Sequence, residues 1–445
     1  MKLIDKDLMS MQEVRELVES AKEAQRELAR MDQAQVDRIV KSIADAGVRN
    51  AKRLAQMAQE DTGFGVVSDK VVKNVFASRG VYEHIKDMKT IGEIERDDAK
   101  GLRKIAVPVG VIAGLIPSTN PTSTAFYKSE IAIKSGNAIV FSPHPTALRA
   151  IMETVKVIRQ AIAEAGANEN LVSCISIPTM EATSTLMHHR DIALILATGG
   201  SAMVKAAYSS GTPAIGVGPG NGPAYLEKTC DLPLAVKRIM DSETFDNGTI
   251  CASEQSIICD EDMAEAVQAE MERQGAYFLD EQEREQLGRF ILRANGTMNP
   301  EIVGKSVKTI ASLAHLDKVP ADARVLVAKE TGVGRGHPYS NEKLGPIMGF
   351  YTGKDYIDVC EKVCTILYYE GAGHTFSMHT KDDKMVDYFA KRVPASRIMV
   401  NTPSALGGIG ATTDLQPALT LGCGAVGGSA TSENVGPLQL LNYRY

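Results

Sequence analysis

Residues 105–116 read Ile-Ala-Val-Pro-Val-Gly-Val-Ile-Ala-Gly-Leu-Ile, and at this apolar run the pattern of the chain changes. Pro108, Gly110 and Gly114 interrupt the run, which is also shorter than the roughly 18 residues of a membrane-spanning helix. Further short apolar runs follow and alternate with helical stretches such as residues 147–165. The candidate strands are residues 105–107, 111–115, 138–141, 172–177 and 192–197. This alternation predicts an α/β fold with a parallel sheet, whose ligands lie beyond the carboxyl ends of the strands.

The segments on either side of this region extend the pattern. Residues 11–95 carry apolar side chains at helical spacing, first at Val14, Leu17, Val18 and Ala21 and again at Val36, Ile39, Val40 and Ile43. A second α/β unit begins near Asp241, with candidate strands at 256–259, 325–327 and 398–401. A chain of 445 residues is too long for one compact core, so we expect two or three domains.

Composition excludes several classes of protein. Hydrophobic residues make up 44% and charged residues 23%, which is typical of a folded soluble chain, and a net charge of −6 favours neither nucleic acid nor an anionic membrane. The first ten residues carry acidic side chains and lack the apolar core of a secretory signal. The seven cysteines include no CxxC pair, which argues against a disulfide scaffold or a zinc site. We therefore expect a cytoplasmic protein without a metal.

The strongest local signal is residues 245–255, Phe-Asp-Asn-Gly-Thr-Ile-Cys-Ala-Ser-Glu-Gln. Gly248 permits a sharp turn just before Cys251, and a thiol on such a turn is suited to act as a nucleophile in a cleft. A small buried cysteine is the usual alternative. The surrounding sequence favours the nucleophile here.

The second signal is Asn120, which stands in the segment Pro-Ser-Thr-Asn-Pro at the end of a candidate strand. Its carboxamide can donate a hydrogen bond to a developing oxyanion, although Asn-Pro also simply forms turns. Paired with the Cys251 segment, a catalytic role is favoured.

Three further segments are candidates for a nucleotide. Thr198, Gly199 and Gly200 follow an apolar strand and precede a helix, an arrangement that presents backbone N–H groups to phosphate, but GxGxxG is absent. Ser142 and His144 close another strand, where a ribose contact and a plain turn are equally good interpretations. Gly218 lies in a further Gly-rich loop, residues 216–221.

Two titratable residues complete the candidate site. Glu342 precedes a turn and is able to hold ribose hydroxyls, whereas a solvated glutamate is the default. His374, in Gly-Ala-Gly-His-Thr, is a possible cleft residue or a structural histidine.

Taken in order, the motifs PSTNPTST, ATGGSAMVKAAYSSG, FDNGTICASEQS, EGAGHT, VNTPSALGGIG and LTLGCGAVGGSATSENVG resemble the aldehyde dehydrogenase superfamily. The resemblance is closest to its CoA-acylating branch, both the aldehyde dehydrogenase half of bifunctional aldehyde/alcohol dehydrogenases and the stand-alone acetylating enzymes. It implies a Rossmann-type NAD-binding domain at residues 1–95 and 109–240 and a catalytic domain at 241–430. Residues 96–108 and 431–445 would form an oligomerisation β-flap.

The resemblance also implies roles for individual residues. Cys251 would be the nucleophile, and Asn120 with the Cys251 N–H would form the oxyanion hole. Thr198, Gly199 and Gly200 would lie at the pyrophosphate of NAD, and Glu342 at the nicotinamide ribose. Hydrolytic members carry a glutamate in a short loop that corresponds here to residues 216–221, Gly-Val-Gly-Pro-Gly-Asn, which contain no acid. Without that base for water, a thioester would persist until coenzyme A attacks it.

The expected activity is therefore NAD- and CoA-dependent interconversion of a short aldehyde, first of all acetaldehyde, and its acyl-CoA. Propionaldehyde, succinate semialdehyde and sulfoacetaldehyde are alternative substrates. Hydrolysis to a carboxylate is an alternative reaction, which the missing glutamate disfavours. We expect a homodimer or a dimer of dimers. The first twenty residues have an amphipathic pattern. They are either simply the first helix of the domain or a signal that packages the protein as cargo in a bacterial microcompartment shell.

Overall fold

The computed structural model describes residues 4–293 and 296–445. Within these residues the strands are β1 Gly92–Asp97, β2 Leu102–Pro108, β3 Val111–Ile116, β4 Ala138–Pro143, β5 Val172–Cys174, β6 Ile192–Thr198, β7 Ala214–Val217, β8 Gly222–Leu226, β9 Glu254–Asp260, β10 Ala276–Phe278, β11 Val325–Lys329, β12 Ile347–Gly353, β13 Gly373–His379, β14 Ala395–Val400 and β15 Leu441–Arg444. They form sheets of three, five and seven strands.

The helices between these strands are α1 Lys6–Leu28, α2 Gln33–Thr62, α3 Val67–Val75, α4 Val81–Ile85, α5 Pro121–Lys134, α6 Leu148–Glu164, α7 Met180–Met187, α8 Ser201–Ser209, α9 Leu232–Thr244, α10 Ala264–Arg273, α11 Glu281–Ile291, α12 Val307–Leu313, α13 Tyr356–Tyr369, α14 Asp383–Ala390 and α15 Ser404–Gly408. A single π-helical turn, Phe76–Gly80, joins α3 to α4. In the part of the chain that the structure describes, no helix has the length and apolar character needed to cross a membrane.

The five-stranded sheet confirms the predicted alternation. Its order is β5-β4-β3-β6-β7 and all its neighbouring strands are parallel. The predicted strand 172–177 is shorter than expected, because it ends at Cys174. The buried Lys128 of α5 donates to the carbonyl oxygens of Leu115 (2.7 Å) and Leu196 (2.8 Å), so it joins the ends of β3 and β6. These two strands flank the point where the strand order reverses, which is where open α/β sheets bind ligands.

The seven-stranded sheet contains strands from both sides of residue 240. Its order is β10-β11-β12-β9-β8-β13-β14, and β8 pairs with both β9 and β13. Position 240 therefore falls inside α9, whose Ala235, Val236 and Ile239 pack on this sheet. The chain passes from one sheet to the other at residues 218–221. The hydrophobic pattern does not predict this crossing, because β8 begins with Gly-Pro and neither residue is typical of a strand.

The C-terminal part of the chain packs against the first core. Ile409, Ala418, Leu421 and Val435 pack in the same buried cluster as the five-stranded sheet. Within the predicted catalytic segment 241–430, residues from Ala405 onward thus return to the first core.

The three-stranded sheet uses most of the predicted flap. In it β2 pairs antiparallel with both β1 and β15, and Leu441 lies opposite Pro108. The Lys104 ammonium lies 4.4 Å from the centre of the Tyr443 ring, a cation–π contact between β2 and β15. The sheet begins four residues before the predicted position 96, and residues 431–440 lie outside it.

Helix α1 is an integral part of the fold. Val14, Val18 and Ala21 are fully buried, as their spacing predicts. The Glu13 carboxylate accepts hydrogen bonds from the backbone N–H groups of Ser176 (2.9 Å) and Ile177 (3.1 Å). These contacts attach the helix to the loop between β5 and α7.

Deleting residues 1–20 is therefore expected to remove part of the core and to yield protein that is insoluble or has lost its cooperative thermal transition. Burial of apolar side chains is the dominant favourable term in folding. The measurement is a thermal melt followed by circular dichroism, with deletion of residues 1–4 as the control. A soluble 1–20 deletion with an unchanged melt would contradict the role of α1 in the fold.

Candidate active site

The site lies where the carboxyl edge of the five-stranded sheet meets the amino edge of the seven-stranded sheet. Asn120 follows β3, and Cys251 precedes β9. The Asn120 side-chain nitrogen Nδ2 donates to the Thr249 carbonyl oxygen at 3.0 Å, which ties the two edges together. Thr198, at the end of β6, shares a 3.0 Å hydroxyl contact with Thr420.

Cys251 sits on a strained turn, as its sequence context predicts. Asp246 and Asn247 have φ angles of 51° and 52°, and Gly248 follows at 71°. Left-handed backbone costs energy for residues other than glycine and persists only where the surroundings enforce it. A hydrogen bond from the Ser253 N–H to the Ile250 carbonyl (2.9 Å) closes the turn around the half-buried cysteine.

The acid-free loop 216–221 packs directly on the nucleophile. A Cβ built on Gly220 would lie 1.8 Å from the Cys251 carbonyl oxygen and 3.3 Å from the Cys251 Cβ. Only glycine allows the two backbones to approach so closely. The loop therefore contributes backbone alone at this contact.

The His374 side chain lies at the Cys251 thiol. The sequence left open whether this histidine is a cleft residue or a structural one. Its Nε2 lies 3.2 Å from the Cys251 Sγ, and its Nδ1 lies 2.8 Å from the Thr375 Oγ1. The buried Arg397 donates to the His374 carbonyl oxygen at 2.9 Å and holds the start of β13 in place. A proton on Nδ1 that is donated to Thr375 leaves Nε2 as an acceptor for the thiol.

The environment keeps both groups uncharged. Burial raises the pKa of the Cys251 thiol to about 12, with the nearby Glu342 and Cys423 adding to the effect. Burial, together with the charge of Arg397, lowers the pKa of His374 well below its usual value. At neutral pH the resting pair is thus a thiol facing a neutral imidazole.

Asn120 is held by a cluster of charged side chains that sequence reasoning missed. The Lys73 Nζ donates to the Asn120 Oδ1 (2.6 Å), to the Asp246 Oδ2 (2.5 Å) and to the Thr249 Oγ1 (3.0 Å). Lys70 also donates to the Asp246 Oδ2, at 3.0 Å. The available signal was the sequence of α3, in which Lys70, Lys73 and Asn74 recur at the spacing of a buried helix face.

The charges of this cluster compensate one another. Burial lowers the pKa of Lys73 to about 8, although Asp246 acts against the change. Burial alone would raise the pKa of Asp246, but Lys73 and Lys70 hold it below its ordinary value. Removing one member of a buried charged group is costly, because the others lose their partner.

Glu342 lies against the loop that packs on Cys251. Its Oε1 accepts from the Gly220 N–H at 2.9 Å, and its own N–H donates to the Glu370 carboxylate at 2.7 Å. Burial and the charge of Glu370 raise the pKa of Glu342 to about 8. A carboxyl group is thus near the thiol even though the loop itself contains none.

The predicted phosphate segment has the expected form. Gly200 is the N-cap of α8 and makes no side-chain cap bond, and a Cβ on it would meet nothing within 4 Å. The start of α8 is therefore open around Gly200. Gly199 precedes this turn and Gly218 lies in the next loop, half-buried.

The other two predicted nucleotide residues have local partners. Ser142 is buried and its hydroxyl lies 2.8 Å from that of Thr183. His144 is exposed, and its Nδ1 accepts from the Thr146 N–H at 3.3 Å. Both contacts fit a strand-terminating turn. Among residues 4–293 and 296–445, no group of three or more His, Cys, Asp or Glu side chains is arranged to hold a metal ion.

A cysteine on a strained turn, an amide donor and a helix N-terminus at the junction of two parallel sheets fit the class of α/β enzymes that form covalent intermediates. Residues 3–293 match the description "Aldehyde dehydrogenase family". The chain belongs to the aldehyde dehydrogenase family.

Individual proteins agree with this assignment. The chain is 45% identical over 435 residues to the bifunctional aldehyde-alcohol dehydrogenase AdhE of Escherichia coli, covering 97% of this chain and 49% of that protein. It therefore spans about half the length of that curated relative. A probable aldehyde dehydrogenase from Listeria monocytogenes has a TM-score of 0.98 at 62% identity, with 99% of this chain and 97% of that chain covered.

Two other solved structures carry more specific descriptions. An acetylating aldehyde dehydrogenase from Geobacillus thermoglucosidasius has a TM-score of 0.97 at 49% identity, with 99% of this chain and 97% of that chain covered. A propionaldehyde dehydrogenase from Rhodopseudomonas palustris, solved with bound CoA and an acylated cysteine, has a TM-score of 0.87 at 28% identity and covers 97% of this chain and 96% of that chain.

The substitution Gly220→Ala is expected to displace the Cys251 turn, because the new methyl group overlaps the Cys251 carbonyl. We expect the rate at which iodoacetamide alkylates Cys251 in the absence of nucleotide to change by about tenfold or more, with a lower melting temperature. Gly218→Ala, where a Cβ meets nothing within 4 Å, is the matched control. Equal alkylation rates and melting temperatures for the two variants would contradict the close packing of this loop.

Proposed function

We propose that this protein is an acylating aldehyde dehydrogenase that interconverts a short aldehyde, in the first place acetaldehyde, and its acyl-CoA with NAD. The observation that carries the proposal is the packing of residues 216–221 on Cys251, since this loop brings backbone and no acid to the nucleophile. The acetylating relative and the relative with bound CoA and an acylated cysteine support the same reaction class.

The first step is the addition of the Cys251 sulfur to the aldehyde carbon. The His374 Nε2, at 3.2 Å from Sγ, accepts the thiol proton as the C–S bond forms. The carbonyl oxygen then carries the negative charge of a thiohemiacetal, and the Asn120 carboxamide donates to it. His374 is thus proposed as the base that activates the nucleophile.

The residues present fit a nicotinamide dinucleotide. The open N-terminal turn of α8 offers backbone N–H groups to a pyrophosphate, next to Thr198, Gly199 and Gly200. Gly218 would flank it, Ser142 and His144 would lie toward its ribose on the adenine side, and Glu342 would hold the nicotinamide ribose. When bound, NAD supplies the hydride acceptor that leaves Cys251 as a thioester.

The second half of the reaction is acyl transfer. His374 first releases the Cys251 proton to solvent. The thiol of CoA then attacks the thioester carbonyl and passes its proton to His374, and Asn120 donates to the resulting tetrahedral oxyanion. As this intermediate collapses, the Cys251 sulfur leaves and takes the proton from His374. Hydrolysis of the thioester would compete with acyl transfer to CoA. It would need Glu342 or His374 as the base that activates water.

The assembly and location of the protein are also proposals. The outer strands β1 and β15 of the three-stranded sheet have one free edge each, which supports pairing of subunits into a homodimer or a dimer of dimers. We propose a cytoplasmic enzyme. A structural relative belongs to a fucose-utilisation microcompartment, but the burial of α1 supports a domain helix over a packaging signal.

NADH formation from acetaldehyde and NAD is expected to require CoA, with acetyl-CoA as product, because the acyl-enzyme persists until a thiol arrives. The Cys251→Ala variant is expected to form no NADH, whereas Cys364→Ala, at a half-buried cysteine of α13, serves as the control. Continuous acetate formation without CoA would refute acyl transfer. Activity confined to propionaldehyde, succinate semialdehyde or sulfoacetaldehyde would contradict acetaldehyde as the substrate and leave the proposed reaction unchanged.

The His374→Ala variant is expected to lose roughly 10²-fold in kcat/KM at neutral pH, the usual scale for a general base. Its remaining activity should rise about tenfold per pH unit, because a thiol whose pKa is raised to about 12 gains thiolate only as the pH climbs. Steady-state rates across the neutral and mildly alkaline range test this, with His188→Ala as the exposed control. Parallel pH profiles for the wild type and the His374 variant would contradict the assignment.

A further inference from the structure

Lys73 uses every hydrogen on its ammonium group inside the protein. Its side chain is 2% exposed, and its three partners are the oxygen atoms of Asn120, Asp246 and Thr249. The Asp246 carboxylate is in turn saturated, since its Oδ1 accepts from the Val66 N–H (2.7 Å) and its Oδ2 from the two lysines and Thr249. The three hydrogen bonds therefore fix the position of the Lys73 ammonium.

This arrangement decides which way the Asn120 carboxamide points. An ammonium has no acceptor, so the atom that faces Lys73 at 2.6 Å must be the carbonyl oxygen of the amide. The amide nitrogen then faces the Cys251 turn, where it donates to the Thr249 carbonyl at 3.0 Å. Its other contact, to the Thr119 hydroxyl, is longer at 3.3 Å. That weaker bond is the one an oxyanion would replace.

The ammonium also changes the strength of the donor. A positive charge on the carbonyl side of an amide draws electron density from its nitrogen and makes the N–H a stronger donor, and chains of hydrogen bonds reinforce one another in this way. Among the charged groups of the cluster, the Lys73 ammonium is the one that bonds the Asn120 carboxamide, so it places positive charge directly at the amide oxygen. Positive potential fixed in advance is what stabilises a developing oxyanion.

We propose that Lys73 is a positioning residue that orients and polarises Asn120 as the oxyanion donor, and that Asp246 holds Lys73 in place for this task. The inference rests on the proposed function only in that Cys251 is the nucleophile. It does not depend on the identity of the aldehyde, on NAD or on CoA.

Lys70 provides a comparison within the same cluster. It is 4% exposed on its side chain, comes from the same helix and binds the same Asp246 oxygen. Its other partner is the backbone carbonyl of Thr119 at 3.1 Å, and it makes no contact with the Asn120 carboxamide. The cluster could serve only to attach α3 to the segments that carry Asn120 and Asp246. In that case, the loss of either lysine would change the reactions of the Cys251 thiol in the same way.

The test compares two reactions of Cys251 in Lys73→Met and Lys70→Met. p-Nitrophenyl acetate acylates the sulfur through a tetrahedral oxyanion and releases p-nitrophenolate, whereas iodoacetamide alkylates it by displacement of iodide without an oxyanion. We expect Lys73→Met to lower the ratio of the acylation rate to the alkylation rate by roughly 10²-fold, the scale for loss of an oxyanion donor. Lys70→Met should change both rates together and leave the ratio as it is.

The pH dependence supplies a second readout. Asp246, Lys70 and Asp69 are the charged groups around Lys73, and burial lowers the Lys73 pKa to about 8. Since the protonated form polarises the amide, the wild-type ratio should fall as the pH rises through about 8. In Lys73→Met this fall should be absent.

Equal ratios in the two variants, or a fall of the ratio with pH that persists in Lys73→Met, would overturn the inference, and so would a wild type that p-nitrophenyl acetate does not acylate at Cys251. A wild type that is acylated there but forms no NADH from any aldehyde would refute the proposed function and leave this inference standing. Lower melting temperatures in both variants do not affect the ratio, since both rates are measured on the same folded protein.

Discussion

The site depends on the contact between the backbone of Gly220 and the carbonyl group of Cys251. Gly220 belongs to the segment in which the chain crosses from the five-stranded to the seven-stranded sheet, and Cys251 lies at the entrance to the latter. A side chain on Gly220 would push the two segments apart. Through the Gly220 N–H, the same contact also fixes the Glu342 carboxylate. The crossing between the sheets, the nucleophile and a candidate cofactor ligand thus share one backbone junction.

Burial shifts the pKa values of the ionisable groups near this junction toward favouring their uncharged forms. It raises the pKa of Cys251 to about 12 and that of Glu342 to about 8, and it lowers that of Lys73 to about 8. A thiol that stays protonated is a poor target for oxidants and stray electrophiles, because the thiolate is the reactive form. In the proposed mechanism, Cys251 therefore stays unreactive until His374 accepts its proton. The same low polarity strengthens the hydrogen bonds of Asn120.

The sequence predicted the local features of this structure and missed those that depend on distant contacts. The strands of the first sheet were predictable because β-branched runs end at turns, and the turn at Cys251 because Gly248 follows Asp246 and Asn247. The pairing of β8 with β9 and β13 was not, since a short strand that begins with Gly-Pro carries no periodic signal. Lys73 escaped notice because its partners lie 47 and 173 positions away along the chain. The placement of His374 at the thiol likewise depends on how β13 aligns beside β8.

The central claim is that an acyl group on Cys251 awaits a thiol, and its most direct test is the state of Cys251 after reaction without CoA. The protein is mixed with acetaldehyde and NAD, quenched, and analysed by peptide mass spectrometry while NADH is followed. We expect one equivalent of NADH and an acetyl group on the Cys251 peptide, which disappears when CoA is added and acetyl-CoA forms. Continued NADH formation with an unmodified Cys251 and accumulating acetate would contradict it.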